Sequence, residues 1–325
     1  MRNGNEAKTC EMLLAEYFSR DEPAVDPVKL RFAGVGERDV YNITAPFEDE
    51  GEMVIAARVE PRDSEQSQIV FFVERDGEWV PRAGMPELAL QDPFYTRIGK
   101  EIVLGGVQIY PHPEREGAIG WRTVMYKGTR LRDLVLFFTG PDGMKDLRIV
   151  ELQDGSIAVF TRPQGEKGGR GKIGFVRLAS LADLTARRIE EAPLLKGQFI
   201  DAEWGGANEL HVLSNGWVGI LGHIACFSPD GNRHYYPMAF ALDPYTGEHS
   251  DIEVIAVRKR FLPGVSKRED LADVVFSGGL IRRPDGSAEL YAGVGDAEAH
   301  KITIVDPFLK YERLGTLRSP TSVAL

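Results

Sequence analysis

The feature that most limits what this chain can fold into is a hydrophobic period of two, interrupted at short intervals by Asp-Gly and Asn-Gly. EMVIAARVE (52–60), SQIVFFVER (67–75), KEIVLGGVQIY (100–110), WRTVMYKG (121–128), LVLFFTG (134–140), SIAVFTRP (156–163), KIGFVRL (172–178) and WVGILGHIACF (217–227) are short and rich in β-branched and aromatic residues. That is the composition of strands in partly buried sheets. ERDGEW (74–79), LQDGS (152–156), LSNGW (213–217), SPDGN (228–232) and RPDGS (283–287) stand between and after them. Asp-Gly and Asn-Gly supply the positive-φ residues that tight hairpins require. The chain therefore reads as a succession of antiparallel hairpins. Helical spacing is confined to residues 11–20, with Met12, Leu13, Leu14, Tyr17 and Phe18, and to a short SLADLTARR at 180–188.

No Pro-rich or Ser-rich linker divides these hairpins, so residues 1–325 are expected to form one all-β domain with a short N-terminal helical segment. Many hairpins in one domain raise the problem of unpaired sheet edges, which radial closure of four-stranded blades resolves. At roughly 40–50 residues per blade plus insertions, the length suits a five-bladed β-propeller. GEKGGRGK (165–172) lacks the GxxxxGK[ST] spacing of a phosphate loop and lies between two strands, so it is expected to be a hairpin tip.

Composition narrows the function by exclusion. A net charge of -10 disfavours binding to a phosphate backbone, so no nucleic-acid partner is expected. No apolar run approaches membrane-spanning length, and residues 1–20 lack the uninterrupted apolar core of a secretory signal. The two cysteines, Cys10 and Cys226, form neither a CxxC pair nor a disulfide framework. These features predict a cytoplasmic protein with no membrane anchor, no metal and no cofactor.

VYNITAPF (40–47), AARVE (56–60), SQI (67–69), QDPF (91–94), KDLRIVEL (145–152), FTRP (160–163), NGWVGILGH (215–223), MAFALDP (238–244), DVVFSGGLIRRPDG (273–286) and AGVGD (292–296) carry a resemblance. In number and order they resemble segments of glycoside hydrolase family 130, the β-mannoside phosphorylases and related hydrolases built on a five-bladed propeller. The likeness runs from Tyr41 to about Asp296. The chain departs from the family's pattern in several places: QDPF lacks the arginine of EDPR, FTRP the histidine of HRP, LGH the tyrosine of YHG. DAEWGGANEL (201–210) has no lysine where the family carries a phosphate-binding one. The resemblance is to a divergent relative in the same propeller clan.

What the resemblance implies is a glycoside hydrolase-like enzyme that cleaves a β-mannoside bond of a glycoside or oligosaccharide by carboxylate acid/base catalysis in a central funnel. Asp92 matches the family's proton donor; by itself an Asp-Pro is turn chemistry. Asn42, Arg58 and Asp296 match positions around the bound sugar, where amide, guanidinium and carboxylate groups suit adjacent hydroxyls. Read without the family, they are a strand-end turn, an ion pair with Glu60 or Asp63, and a loop carboxylate. Arg162 and His223, with Lys145 and Asp146, match positions near the phosphate or water nucleophile. A lone histidine between Leu221 and Ile224 is otherwise a structural one.

Glu203 and Trp204 stand outside the matched motifs. A carboxylate beside an aromatic ring has a raised pKa if buried and can serve as a base, and the indole can stack on a sugar face. Asp201 and Glu203 also occupy the segment where the family carries its lysine. A carboxylate there would repel phosphate by several kcal/mol at a spacing of about 4 Å and an effective dielectric near 20. Hydrolysis is thus expected, with Asp92 as acid and Glu203 as base. Phosphorolysis and non-catalytic glycan binding are the alternatives.

Overall fold

The computed structural model describes residues 7–20, 26–112 and 116–315. They form a mostly β structure in which strands close to each other in sequence pair antiparallel, as the Asp-Gly punctuation predicts. The first sheet holds Asp39–Tyr41, Glu52–Glu60, Gln68–Arg75 and Glu78–Pro81 in that order, with Phe47–Asp49 also paired to Glu52–Glu60. The hairpin between its last two long strands closes on Asp76 and Gly77, both with positive φ, the geometry whose twist matches that of the flanking strands. The second sheet contains Gln91–Ile98, Glu101–Pro111, Ile119–Gly128 and Val135–Thr139. The third has three strands, Arg148–Glu151, Ile157–Thr161 and Gly174–Leu178, fewer than the expected four.

The remaining strands form one eight-stranded sheet with a natural division. Trp204–Val212, Val218–Phe227, Arg233–Leu242 and Glu253–Val254 make one half; Asp273–Arg282, Ser287–Val294 and Glu298–Val305 make the other. The one strand pairing between them among the described residues is a two-residue parallel contact, His234 with Asp273 and Tyr235 with Val274. The outer edge of the second half is completed by Val28–Lys29, so the first strand of the described chain pairs with its last.

Packing follows the same circuit. The alternating pattern sends one face of each sheet to its predecessor and the other to its successor. Val54 and Phe71 meet Leu104 and Val124 between the first and second sheets. Phe94 and Met125 meet Ile149 and Val159 between the second and third. Phe160 meets Ile220 and Phe240 beyond that, and Leu221 meets Val275 and Leu290 between the two halves of the large sheet. A fifth cluster returns Tyr291 and Ala299 to Val40, Val59 and Phe72 of the first sheet. Fully burying a side chain of this size contributes about 1.5–3 kcal/mol, so this seam holds the ends of the chain together.

The N-terminal helix is Cys10–Phe18, capped by the Thr9 hydroxyl, which accepts from Met12 N. Cys10, Leu13 and Tyr17 share one buried face, while Met12 and Phe18 of the expected apolar set point outward. Residues 180–188 give a short 3-10 turn, Leu181–Asp183, and a helix, Ala186–Glu191. GEKGGRGK joins two antiparallel strands through a single helical turn, Gly165–Gly168. No helix among the described residues is long and apolar enough to cross a membrane.

Candidate active site

Asn42, Asp92, Asp146 and Asp296 lie far apart in the chain, yet all have φ between 44° and 58°. The left-handed region costs most side chains about 1–3 kcal/mol; short amide and carboxylate side chains tolerate it best. Only two other non-glycine residues share it among the described ones, Glu50 and Asp76, both in hairpin turns. The four instead line one cavity of about 170 Å³, smaller than the roughly 300 Å³ at which drug-sized ligand pockets begin. At Asp92 the strain has a visible cause. Residues before proline normally stay extended, but the ladder slips at Asp92–Pro93, between Gln91 and Phe94. Such bulges re-aim a side chain.

Arg58, Lys145, Arg162 and His223 line the same cavity. One half of it is organised by Arg58. Its Nη1 donates to Asp92 Oδ1 at 3.2 Å, and Asn42 Nδ2 donates to the same oxygen at 2.7 Å. The guanidinium is itself held by Glu60 at 2.8 Å and Ser67 at 2.9 Å. Glu60 is wholly buried, and burial alone would raise its pKa. Arg58, Lys267, Ser67 and Tyr41 reverse that and hold it below the usual carboxylate range. Lys267 reaches it at 2.5 Å from the segment before the last sheet. Burial pushes Asp296 up to about 6; Arg58 opposes this shift, and the charge of Asp92 adds to it.

The other half is cationic. Arg162 is buried, donating from Nε to Gly205 O at 2.7 Å, with its Nη1 3.4 Å from Asp146. Burial disfavours the Asp146 carboxylate, yet Arg162, Lys145 and Arg148 bring its pKa down to about 2, so it stays ionised. Close approach here needs glycine: a Cβ on Gly206 would stand 2.7 Å from Arg162 Cδ and 3.1 Å from His223 Cε1. Asn42 Oδ1 and Arg162 Nη1 are buried without a hydrogen-bond partner among the described residues. Orphaned polar atoms on a cavity wall are what a polar ligand satisfies.

Glu203 and Trp204 do not line this cavity. Glu203 Oε1 accepts from Cys10 N at 2.8 Å, which ties the carboxylate to the N-terminal helix. Trp204 is buried against Phe227 and donates from Nε1 to Tyr235 Oη at 3.1 Å. It therefore reaches the cavity only through Tyr235, which stacks on His223 with ring centres 5.3 Å apart. Asp201 is exposed and bonded to Lys172. The carboxylates expected to repel phosphate thus lie elsewhere: both precede the strand Trp204–Val212, and Lys172 and Cys10 N hold them away from the cavity. Sequence reasoning missed Tyr41, Gln91, Arg233, Tyr235, Lys267 and Arg268, which also line the cavity.

A mostly β chain with a polar, charge-dense cavity where its sheets converge is a class of protein built to hold a small polar ligand. This chain belongs to the family described as protein of unknown function (DUF1861), whose model matches residues 16–310. A mannose phosphorylase from Leishmania mexicana, solved with a phosphate ion, is 36% identical over 93% of this chain and 94% of its own, with a TM-score of 0.85. A GDP-Man-dependent mannosyltransferase from the same organism is 30% identical over 93% of this chain and 95% of its own, at 0.83. A β-1,2-mannobiose phosphorylase from Listeria innocua shares the fold at 13% identity, over 90% and 94% of the two chains and a TM-score of 0.61. A search of curated protein sequences finds no match.

Proposed function

We propose that this protein is a mannoside phosphorylase: inorganic phosphate attacks the anomeric carbon of a mannoside, the glycosidic C–O bond breaks, and a proton passes to the departing oxygen. The observation that carries this reading is the charge of the cavity. Six of its side chains are Lys or Arg and four are Asp or Glu, an excess of two positive charges within a chain of net charge -10. Holding a dianion takes several convergent donors, and Lys145 and Arg162 supply charged ones beside His223. The relatives described as phosphorylases support the choice of nucleophile and sugar.

Asn42, Arg58 and Asp296 bind the sugar hydroxyls in this proposal, and Asp146 orients Arg162. Asp92 is the proton donor. Two donors fix its Oδ1, which leaves Oδ2 for the departing oxygen, and Asp296 in the same cavity holds its proton above the ordinary Asp range. Phosphate is its own nucleophile, so no second carboxylate is required as base and Glu203 has no part in the reaction. Five apolar clusters in a closed circuit support a single five-bladed propeller, and the free thiols of Cys10 and Cys226 suit a reducing cytoplasm.

The test is product analysis. Purified protein incubated with β-mannosides should release mannose 1-phosphate at a rate that depends on inorganic phosphate. Release of free mannose at a phosphate-independent rate would establish hydrolysis instead.

A further inference from the structure

His223 is 1% exposed, its ring lies between Tyr235 and Phe276, and it forms part of the cavity wall. Its Nδ1 stands 2.8 Å from Oδ1 of Asn208, itself 1% exposed. The amide is not free to rotate, because its Nδ2 donates to Ser277 O at 2.6 Å. Ser277 is in turn anchored through Oγ to Gly222 O, also at 2.6 Å. With Nδ2 committed as donor, Oδ1 can only accept, so the ring proton must be on Nδ1. The remaining nitrogen, Nε2, then faces the cavity as a lone pair, with no hydrogen-bond partner among the described residues. Asn208 reaches this position through another ladder slip, between Ala207 and Glu209.

We infer that Asn208 is a positioning residue that fixes His223 as a hydrogen-bond acceptor, and that the anion site consequently selects an oxyanion bearing a proton. This deepens the phosphate reading and rests on it. Inorganic phosphate keeps at least one P–OH throughout the neutral range and can donate it to Nε2 while its bare oxygens meet Lys145 and Arg162. Sulfate has the same shape and charge but no proton there, so its oxygen would face the lone pair. The surroundings keep the ring neutral: burial first, then Arg162, Lys145 and Arg148, against which Asp146 alone favours a second proton.

The experiment is calorimetric binding of phosphate and of sulfate to the whole protein at neutral pH, joined to a ¹⁵N–¹H spectrum of the histidine side chains. Phosphate is expected to bind at least about tenfold more tightly than sulfate, since a site built around one hydrogen bond rejects an isostere that cannot form it. The spectrum should show His223 protonated on Nδ1 only. In Asn208→Asp the new carboxylate should draw a second proton onto the ring, giving an imidazolium signal and a phosphate-to-sulfate ratio near one. A wild-type spectrum with the proton on Nε2, or equal affinity for the two anions, would overturn the inference. Equal affinity in an enzyme that still makes mannose 1-phosphate would leave the proposed function standing. Loss of phosphate dependence together with absence of phosphate binding would remove both.

Discussion

Asn42 and Asp92, held in the same left-handed backbone region, are joined by a 2.7 Å hydrogen bond from the amide of one to the carboxylate of the other. The connection that follows the first sheet's opening strand thereby fixes the proposed proton donor near the start of the second sheet. Asp92→Asn should keep its fold and sugar affinity but lose about 100-fold or more in turnover of substrates with poor leaving groups, the usual scale of general acid catalysis. Aryl mannosides with good leaving groups should lose much less. Equal losses on both would show that Asp92 does not donate the proton.

Asp296 is expected to contribute one limb of the pH dependence. With its pKa pushed up to about 6, kcat/KM should fall as pH rises through that value, and Asp296→Asn should lack this limb. The sign for stability follows from linkage. The folded state holds this proton more tightly than the unfolded chain, so the group's contribution is complete below the ordinary Asp range and is lost as pH rises through about 6. Denaturation midpoints across that window, for wild type and Asp296→Asn, measure the difference. A parallel slope in the variant would assign the effect to another group.

Lys145 lines the cavity without an ion pair among the described residues. Lys145→Met should therefore raise the KM for phosphate by about tenfold or more, the scale of one lost charge-assisted bond, and leave the melting temperature unchanged. A drop in stability with phosphate KM intact would point to a structural lysine.

Gly206→Ala tests the close packing behind the proposed anion site. Its added Cβ would collide with the Arg162 side chain and press on His223, so phosphate affinity should fall while the mannoside KM moves little. Retained phosphate affinity would mean that both side chains have room to shift.

Glu203→Ala makes the opposite prediction. Removing the acceptor for Cys10 N should lower unfolding free energy by about 1 kcal/mol with turnover unchanged. A large loss of turnover would return Glu203 to the mechanism.

The sequence was most legible where chemistry and pattern coincided. Asp-Gly turns located the hairpins because their φ requirement is local, and the matched motifs named eight side chains that meet in one cavity. Glu203 misled because the signal, a carboxylate beside an indole, says nothing about direction. Glu203 lies just before the strand Trp204–Val212, where no regular period sets which way a side chain points. Asn208 was invisible for a related reason: its direction depends on a ladder slip that leaves no mark in GGAN. Lys267 and Glu60 lie 207 residues apart, and no spacing rule connects them.

That last distance bears on how the protein is made. Arg58 is buttressed by Glu60, Glu60 is neutralised in part by Lys267, and Asp296 arrives later still, while Val28 waits to pair with Lys301. The half of the pocket proposed to hold the sugar is thus written toward the two ends of the message, and on that proposal a ribosome that has translated most of it has made no partial receptor. We expect recognition to appear abruptly late in translation: nascent chains halted before Lys267 should pass through a mannose matrix, and chains released beyond Lys301 should be retained. Gradual retention with length would mean that the early sheets bind sugar unaided.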